Sequence, residues 1–313
     1  MSATLAVDDP ILLAFAHEVG ETEVVAIEGG RTRWDLGGAS VGNPRILNAP
    51  GGIVDYKPEE MTVKVRAGTS VADLHAALAE KGQRSALPER VGTERGGTVG
   101  GAIAVGENDF RALGRGRTRE SLLQVRYVSA EGKIVSSGGP TVKNVSGFDL
   151  PRLMVGSLGT LGCLAEVILR TNPIPAESRW LSAEGVDAQA VLDALLHPSA
   201  VLTNGSSVWV QLEGHGPDVD QQAKALDKLA SFESADAPAL PAHRHSLSPS
   251  AAANFTEPSG GNFISAIGLG LVFADSPQPA RELDPTVAMI GDRVKQNFDP
   301  TGRLNPGRNA GRK

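Results

Sequence analysis

Three short runs in the sequence combine glycine with polar or basic residues: EGGRTR at 28–33, GGTVGGAIA at 96–104 and GSLGTLG at 156–162. Glycine allows positive φ and close backbone approach, so such bends can turn several amide N–H groups toward one anion. Each alone is compatible with an ordinary turn. Together in one stretch of chain they predict a cradle for a pyrophosphate. Other nucleotide-binding schemes are disfavoured: there is no G-x-x-x-x-G-K-[ST], and no G-x-G-x-x-G lies between an early strand and a helix with an acidic residue at the ribose distance.

The elements that must position these bends are legible from periodicity. Residues 24–34, VVAIEGGRTRW, predict a strand entering the first bend. MTVKVRA at 61–67 alternates apolar and polar residues, a half-buried strand. In the following GTSVADLHAALAEKG, Thr69 or Ser70 caps a helix whose apolar stripe is Val71, Leu74, Ala77 and Leu78, and Gly82 stops it. SLLQVRYVSAEGKIVSSGG predicts a hairpin. A helical segment at 150–154 leads through the third bend into a long strand closed by Pro173 and Pro175. We therefore expect a first domain at 1–175, a second at 176–298 with a mobile Ala/Pro/Ser linker over about 234–260, and a tail at 299–313 returning to the first. The second domain reads as about two strands and three helices, including one apolar strand at 263–274 and a helix carrying Val287, Ile290, Val294 and Phe298.

Composition narrows the function. With 30 basic and 36 acidic residues among 313 the net charge is −6, no Lys/Arg block tracks a phosphate backbone, and aromatics make up 4%, so nucleic acid is not an expected partner. The single cysteine, Cys163, excludes an internal disulfide or thiolate cluster and reads as a buried hydrophobe. The N-terminus predicts a short helix begun by Asp9-Pro10 rather than an export signal, and no run is long enough to insert in a bilayer. A cytoplasmic location is expected, with membrane association only through partners.

The order IEGGRTRWDLGG, LPERVGTERGGTVGGAIA, GRGRTRESLLQVRYVSAEGKIV, KNVSGFDL before GSLGTLG, and the C-terminal FDPTGRLNPGR resembles the vanillyl-alcohol oxidase and p-cresol methylhydroxylase (PCMH-type) flavoproteins. Within them it is most similar to FAD-binding subunits of bacterial glycolate oxidase. The resemblance implies an α+β fold, a two-lobed PCMH-type FAD-binding domain plus a shortened α/β cap. It implies that Gly29, Gly30, Arg31, Thr32 and Arg33 wrap the pyrophosphate, and that Pro88, Thr98, Val99, Gly100, Gly101 and Ala104 approach the cofactor, with Gly106, Gly159 and Ile168 along the same crevice. Because the histidine or cysteine of covalently flavinylated relatives is missing at these bends, the FAD is expected to be noncovalent. Trp34 either shields the cofactor or packs beside the turn.

The same resemblance implies oxidation of a small 2-hydroxy acid with electrons passing to partner flavoprotein and iron-sulfur subunits. A base and a carboxylate-binding cation are then required. The candidates are His215 in a loop after a strand, and Asn305 and Arg308 of the tail, which serve equally as capping and closure residues. The paired-histidine metal site of catalytic relatives has no counterpart, and His243-Arg244-His245 lies in the expected linker, so no metal is expected. Three readings stay open: a catalytic subunit, a flavin-bearing structural subunit without substrate chemistry, and a stand-alone oxidase of another small alcohol or acid.

Overall fold

The computed structural model describes residues 9–89, 96–140, 149–279 and 283–312. They form two compact units, the first from residues 9–108, 117–173 and 283–312, the second from residues 109–116 and 174–279.

In the first unit, β1 (Val25–Glu28) and β2 (Arg45–Asn48) pair in parallel. A five-stranded antiparallel sheet follows, built from β3 (Ile53–Lys57), β4 (Thr62–Arg66), β6 (Leu122–Val128), β7 (Ile134–Gly138) and β8 (Cys163–Arg170) in the order β3-β4-β8-β6-β7. A short pair, β5 (Gln83–Arg84) with β9 (Asn172–Pro173), completes the strands. Helix α1 (Pro10–Val19) starts where Asp9 Oδ1 accepts the Ile11 N–H at 2.9 Å. Helix α2 (Val71–Ala79) is capped by Ser70 Oγ on the Asp73 N–H at 2.9 Å, and its Val71, Leu74 and Leu78 are fully buried, as the apolar stripe requires. Helix α3 (Val99–Val105) begins at Thr98, whose Oγ1 accepts the Gly101 N–H at 3.1 Å.

One core cluster gathers Val63, Val65, Leu74, Leu78, Val99, Ile103, Val125 and Val167. A second joins Leu12, Phe15 and Val19 of α1 to Val25, Ala165 and Leu304. Each such aliphatic side chain contributes about 1.5–3 kcal/mol on burial.

The C-terminal stretch is part of this unit. Helix Pro285–Phe298 was expected in the second domain, but its Val294 and Phe298 pack on the first cluster and Lys295 Nζ donates to the Thr160 carbonyl at 2.8 Å. Val287 and Ile290, on the same predicted stripe, are more than half exposed, so only the C-terminal part of the helix is held by apolar contact. Beyond it, Leu304 bridges to Val25, and Arg303, 2% exposed, donates to the carbonyls of Ala130, Val19, Gly20 and Glu23.

The second unit holds a seven-stranded antiparallel sheet rather than the two strands expected. Its strands are β10 (Glu177–Glu184), β11 (Ala200–Thr203), β12 (Ser207–Gly214), β13 (Glu233–Ser234), β14 (His243–Ser246), β15 (Phe263–Ala266) and β16 (Leu271–Ala274), in the order β13-β10-β12-β11-β15-β16-β14. Strands of two to four residues carry too little alternation to register in sequence. The apolar run 263–274 is a hairpin, because Gly268 and Gly270 take φ of 81° and 68° and reverse the chain. The expected linker includes β14 and the helix Pro249–Ala253; His245 is buried, with Nε2 at 2.8 Å from the Ser276 carbonyl. Helices Ala188–Ala194 and Gly216–Leu226 share a core with Val208, Val210 and Leu212 of β12.

Candidate functional site

The first bend follows β1 directly. Arg31, a non-glycine residue, holds φ of 57°, a left-handed conformation that surroundings must enforce. The turn closes with the Trp34 N–H on the Arg31 carbonyl and the Leu36 N–H on the Arg33 carbonyl, both at 3.3 Å. Between them, the backbone N–H groups of Arg31, Thr32 and Arg33 meet no acceptor among the described residues. Three successive unused donors on the wall of a cleft form a concave anion seat.

The second bend lies against the first. A Cβ on Gly30 would sit 1.5 Å from the Gly96 carbonyl oxygen, and one on Gly29 would sit 2.4 Å from Thr98 Oγ1, so glycine lets the backbone of the second bend approach at Gly30 and the Thr98 side chain at Gly29. The amides of the second half of this bend are already used. Val99 N–H donates to the Thr69 carbonyl at 2.8 Å, Gly100 N–H to the Ala67 carbonyl at 2.7 Å, and Gly101 N–H to Thr98. These hydrogen bonds fasten α3 to β4 and its turn. The N–H groups of Gly96, Gly97 and Thr98, in the first half of the bend, meet no acceptor among the described residues.

The third bend is tied to the tail. Asn305, at φ of 44° and 8% exposed, accepts the Ile27 N–H on Oδ1 at 2.8 Å and donates from Nδ2 to the Leu158 carbonyl at 2.7 Å. Leu158 N–H donates to the Ala104 carbonyl, and Gly156 N–H to the Ile103 carbonyl, which joins this bend to the end of α3. A Cβ on Gly159 would meet Asn305 Nδ2 at 2.2 Å. The three bends converge: successive N–H groups without an acceptor among the described residues lie on the first bend at 31–33 and on the second at 96–98, while those of Gly156, Ser157, Leu158 and Thr160 on the third are engaged.

Together they enclose a cleft of about 780 Å³, open to solvent, lined by Ile27, Gly29 to Trp34, Leu36, Pro88, Thr98, Gly101, Ala104, Glu107, Leu158, Asn305 and Arg308. A further space of about 460 Å³, reaching Gly100, Gly159 and Cys163, shares Gly29, Thr98, Gly101, Ala104 and Asn305 with it. Through these shared residues the two spaces make one cavity. Its cations are differently engaged. Arg31 pairs with Glu28 at 2.5 Å, which raises its pKa, and Arg33 Nε lies 3.3 Å from both oxygens of Glu107. Arg308 donates to the carbonyls of Leu36 and Gly38, and its guanidinium stands 4.7 Å from the centroid of Trp34. Burial pulls the Arg308 pKa below its ordinary value, partly offset by Asp35, yet a guanidinium remains charged.

Of the residues singled out from the sequence, Gly29, Gly30, Arg31, Thr32, Arg33, Pro88, Thr98, Gly100, Gly101, Ala104, Gly159, Asn305 and Arg308 line this cavity. Val99 is buried in the first core cluster, Gly106 ends α3 at φ of 70°, and Ile168 lies within β8; none lines the cavity. His215 lies in the second unit, before the helix Gly216–Leu226. Most of KNVSGFDL, up to Phe148, lies outside the described residues, as do residues 90–95. Sequence reasoning missed Ile27, Leu36, Glu107 and Leu158; only Glu107, a carboxylate just past a glycine-rich helix, left a signal that could have drawn notice. Cys163 is 1% exposed, and burial pushes its thiol up to about 12.

A cavity with an amide seat in one wall and glycines at its closest approaches fits a dinucleotide joined through a diphosphate. Residues 20–138 match the family FAD_binding_4, described as an FAD binding domain. Glycolate oxidase subunit GlcE of Escherichia coli (strain K12) is 32% identical over 204 residues, 63% of this chain and 57% of that protein. Glycolate oxidase subunit GlcD of Bacillus subtilis (strain 168) is 35% identical over 140 residues, 44% and 29% of the two chains. D-2-hydroxyglutarate dehydrogenase of Xanthomonas citri pv. viticola is 33% identical over 193 residues, 56% and 40%. The chain therefore spans less than two thirds of the length of each of these relatives. Among solved structures, alkyldihydroxyacetonephosphate synthase matches with a TM-score of 0.62 over 95% of this chain and 73% of that one at 14% identity, a likeness of fold. The likeness to an FAD binding domain thus extends over residues 20–138 of this chain.

Proposed function

We propose that this chain is an FAD-dependent oxidoreductase subunit of a glycolate oxidase-like complex acting on a small 2-hydroxy acid, with its FAD held noncovalently. The observation that carries this reading is the run of three open N–H groups at Arg31, Thr32 and Arg33 beside Gly30, which admits the backbone of the second bend. When bound, FAD supplies the hydride acceptor for oxidation of an alcohol carbon. The chain's residues bind and orient: amides 31–33 seat the diphosphate, Gly29 and Gly30 let the second bend close against the first, and Gly101 leaves space on the cavity wall. Arg308 stands at the cavity wall as the cation for an anionic group. The curated relatives' names, glycolate oxidase subunits and D-2-hydroxyglutarate dehydrogenase, support the substrate class. Noncovalent attachment is supported by Cys163, the sole cysteine, whose enclosure and raised pKa deprive it of thiolate character. Asn305 acts as a structural clamp in this reading, since both ends of its side chain are engaged by backbone groups.

A second reading, a flavin-bearing subunit without substrate chemistry of its own, is favoured by the cavity lining. Among its described residues there is no histidine, and its carboxylate nearest the amide seat, Glu107, is paired to Arg33. Anaerobic mixing of the FAD-loaded chain with glycolate and D-lactate separates the two. Bleaching of the flavin band by the chain alone supports catalysis. Bleaching only after addition of a GlcD-like partner chain supports the second reading. Acid precipitation that leaves FAD in the supernatant supports noncovalent binding, and FAD retained in the pellet overturns it.

A further inference from the structure

Arg31, Arg33 and Arg308 line the cleft, and they are not equivalent. Arg31 pairs with Glu28 and Arg33 with Glu107, whereas no carboxylate among the described residues lies at ion-pair distance from Arg308. Asp35 acts on it only from farther away. The Arg308 guanidinium is nevertheless held in place. Its Nη1 donates to the carbonyl of Leu36 at 2.9 Å and to that of Gly38, and its central carbon stands 4.7 Å from the centroid of the Trp34 ring. Nε and Nη2 meet no acceptor among the described residues. That edge of a guanidinium carries parallel N–H groups, the arrangement that takes two oxygens of one phosphate or carboxylate.

The position of Trp34 selects the anion. It follows the open-amide run 31–33 directly, and Arg31, which begins that run, also lies over its ring, 5.2 Å from the centroid. One indole thus gathers a guanidinium from the amide seat and another from the C-terminal tail. The ring attracts cations through its quadrupole but carries no charge, so it fixes Arg308 without neutralising it. Positive charge left uncompensated beside the seat is offset by an oxyanion bound there.

We infer that Trp34 is a positioning residue, whose ring holds Arg308 so that the Nε and Nη2 edge receives the oxyanion seated on amides 31–33, the diphosphate of FAD. The inference rests on the FAD reading above and gives Trp34 a role other than shielding the flavin.

The test is titration of the apo-protein with FAD, without substrate, at low and high salt, for wild type, Trp34→Leu, Arg308→Met and the double variant. Trp34→Leu is expected to bind FAD roughly two- to thirtyfold more weakly and Arg308→Met roughly ten- to hundredfold. The double variant stays within about threefold of Arg308→Met, because the ring has nothing left to position. Both single changes flatten the salt dependence of FAD affinity, since each takes the same charge from the diphosphate. Trp34→Phe, with a weaker cation-attracting face, falls between wild type and Trp34→Leu; together with Arg308→Lys, which keeps the charge and loses the fork, it carries the test should the larger changes prevent folding. A ring that only packs or shields would weaken FAD as much in the Arg308→Met background as in wild type and leave the salt slope unchanged. That result overturns the inference while the FAD reading stands. Unchanged FAD affinity in Arg308→Met overturns it too, and a higher glycolate concentration for half-bleaching in that variant would identify the substrate carboxylate as the occupant. Failure of the wild type to bind FAD overturns both readings.

Discussion

The side-chain oxygen of Asn305 accepts the backbone N–H of Ile27 at 2.8 Å, a hydrogen bond that spans 278 positions in the chain. It places the residue from which the first bend departs under control of the C-terminal stretch. Because the same side chain also donates to Leu158, Asn305→Ala strands two backbone groups in a buried place. The expected loss is roughly 2–5 kcal/mol, read as a shift in the denaturation midpoint. Asn305→Gly, which relaxes the φ of 44°, is expected to lose about 1 kcal/mol less than the alanine variant. Equal midpoints for Asn305→Ala and wild type would mean that the clamp carries no weight.

Two neighbouring glycines of α3 are expected to behave oppositely. A Cβ on Gly100 would meet Ala67 Cβ at 2.8 Å, so Gly100→Ala pushes the helix off β4 and lowers apo-protein stability by about 1–3 kcal/mol. A Cβ on Gly101 meets only Thr98 Oγ1, at 3.0 Å, and otherwise enters the cavity. Gly101→Ala is therefore expected to keep or slightly raise apo-protein stability, from helix propensity, while weakening FAD binding at least tenfold. Thermal denaturation of the apo-protein and FAD titration give the two readouts.

Asp299 makes stability depend on pH. Burial would raise its pKa, but the Lys295 ammonium and the N–H groups of Leu304 and Arg303 outweigh this and hold it below the ordinary 3.8. A carboxyl depressed in the folded state contributes its full stability above the unfolded-chain pKa and loses it as pH falls through the folded one. The wild type is thus expected to lose stability progressively below about pH 4, and Asp299→Asn, destabilised at neutral pH, to show a flatter acid limb. Chemical denaturation between neutral and acid pH checks the slopes, and parallel curves would reject the assignment.

The Cys163 thiol, pushed up to about 12 and 1% exposed, is expected to resist alkylation at pH 8 in the folded protein. Iodoacetamide should label it only in denaturant. Stoichiometric labelling under native conditions would place the thiol at a surface.

Local pattern made much of the first unit legible. The alternation at 61–67 and the capped stripe at 71–78 appear as β4 and α2, and the turn at 130–133 joins β6 to β7, because each depends on neighbours within a few residues. What the second unit adds is nonlocal. β14 has a tenable identity only beside β16, and HRHS offers no apolar alternation of its own. The cavity divides the same way. Glycine positions announced close approach, yet whether an amide is open depends on distant acceptors: Ala67 takes the Gly100 donor, and nothing among the described residues takes those of residues 31–33. Glu107 escaped notice because only the fold brings it to Arg33, 74 positions away.

The burial of Arg303 against four carbonyls around α1 and β1 bears on biosynthesis. A nascent chain released from the ribosome up to the second unit has the glycine bends but lacks Asn305 and Arg308 in the wall they share. A chain terminated before residue 303 is therefore expected to leave the carbonyls of Val19, Gly20, Glu23 and Ala130 without their guanidinium and the cleft wall without Asn305 and Arg308.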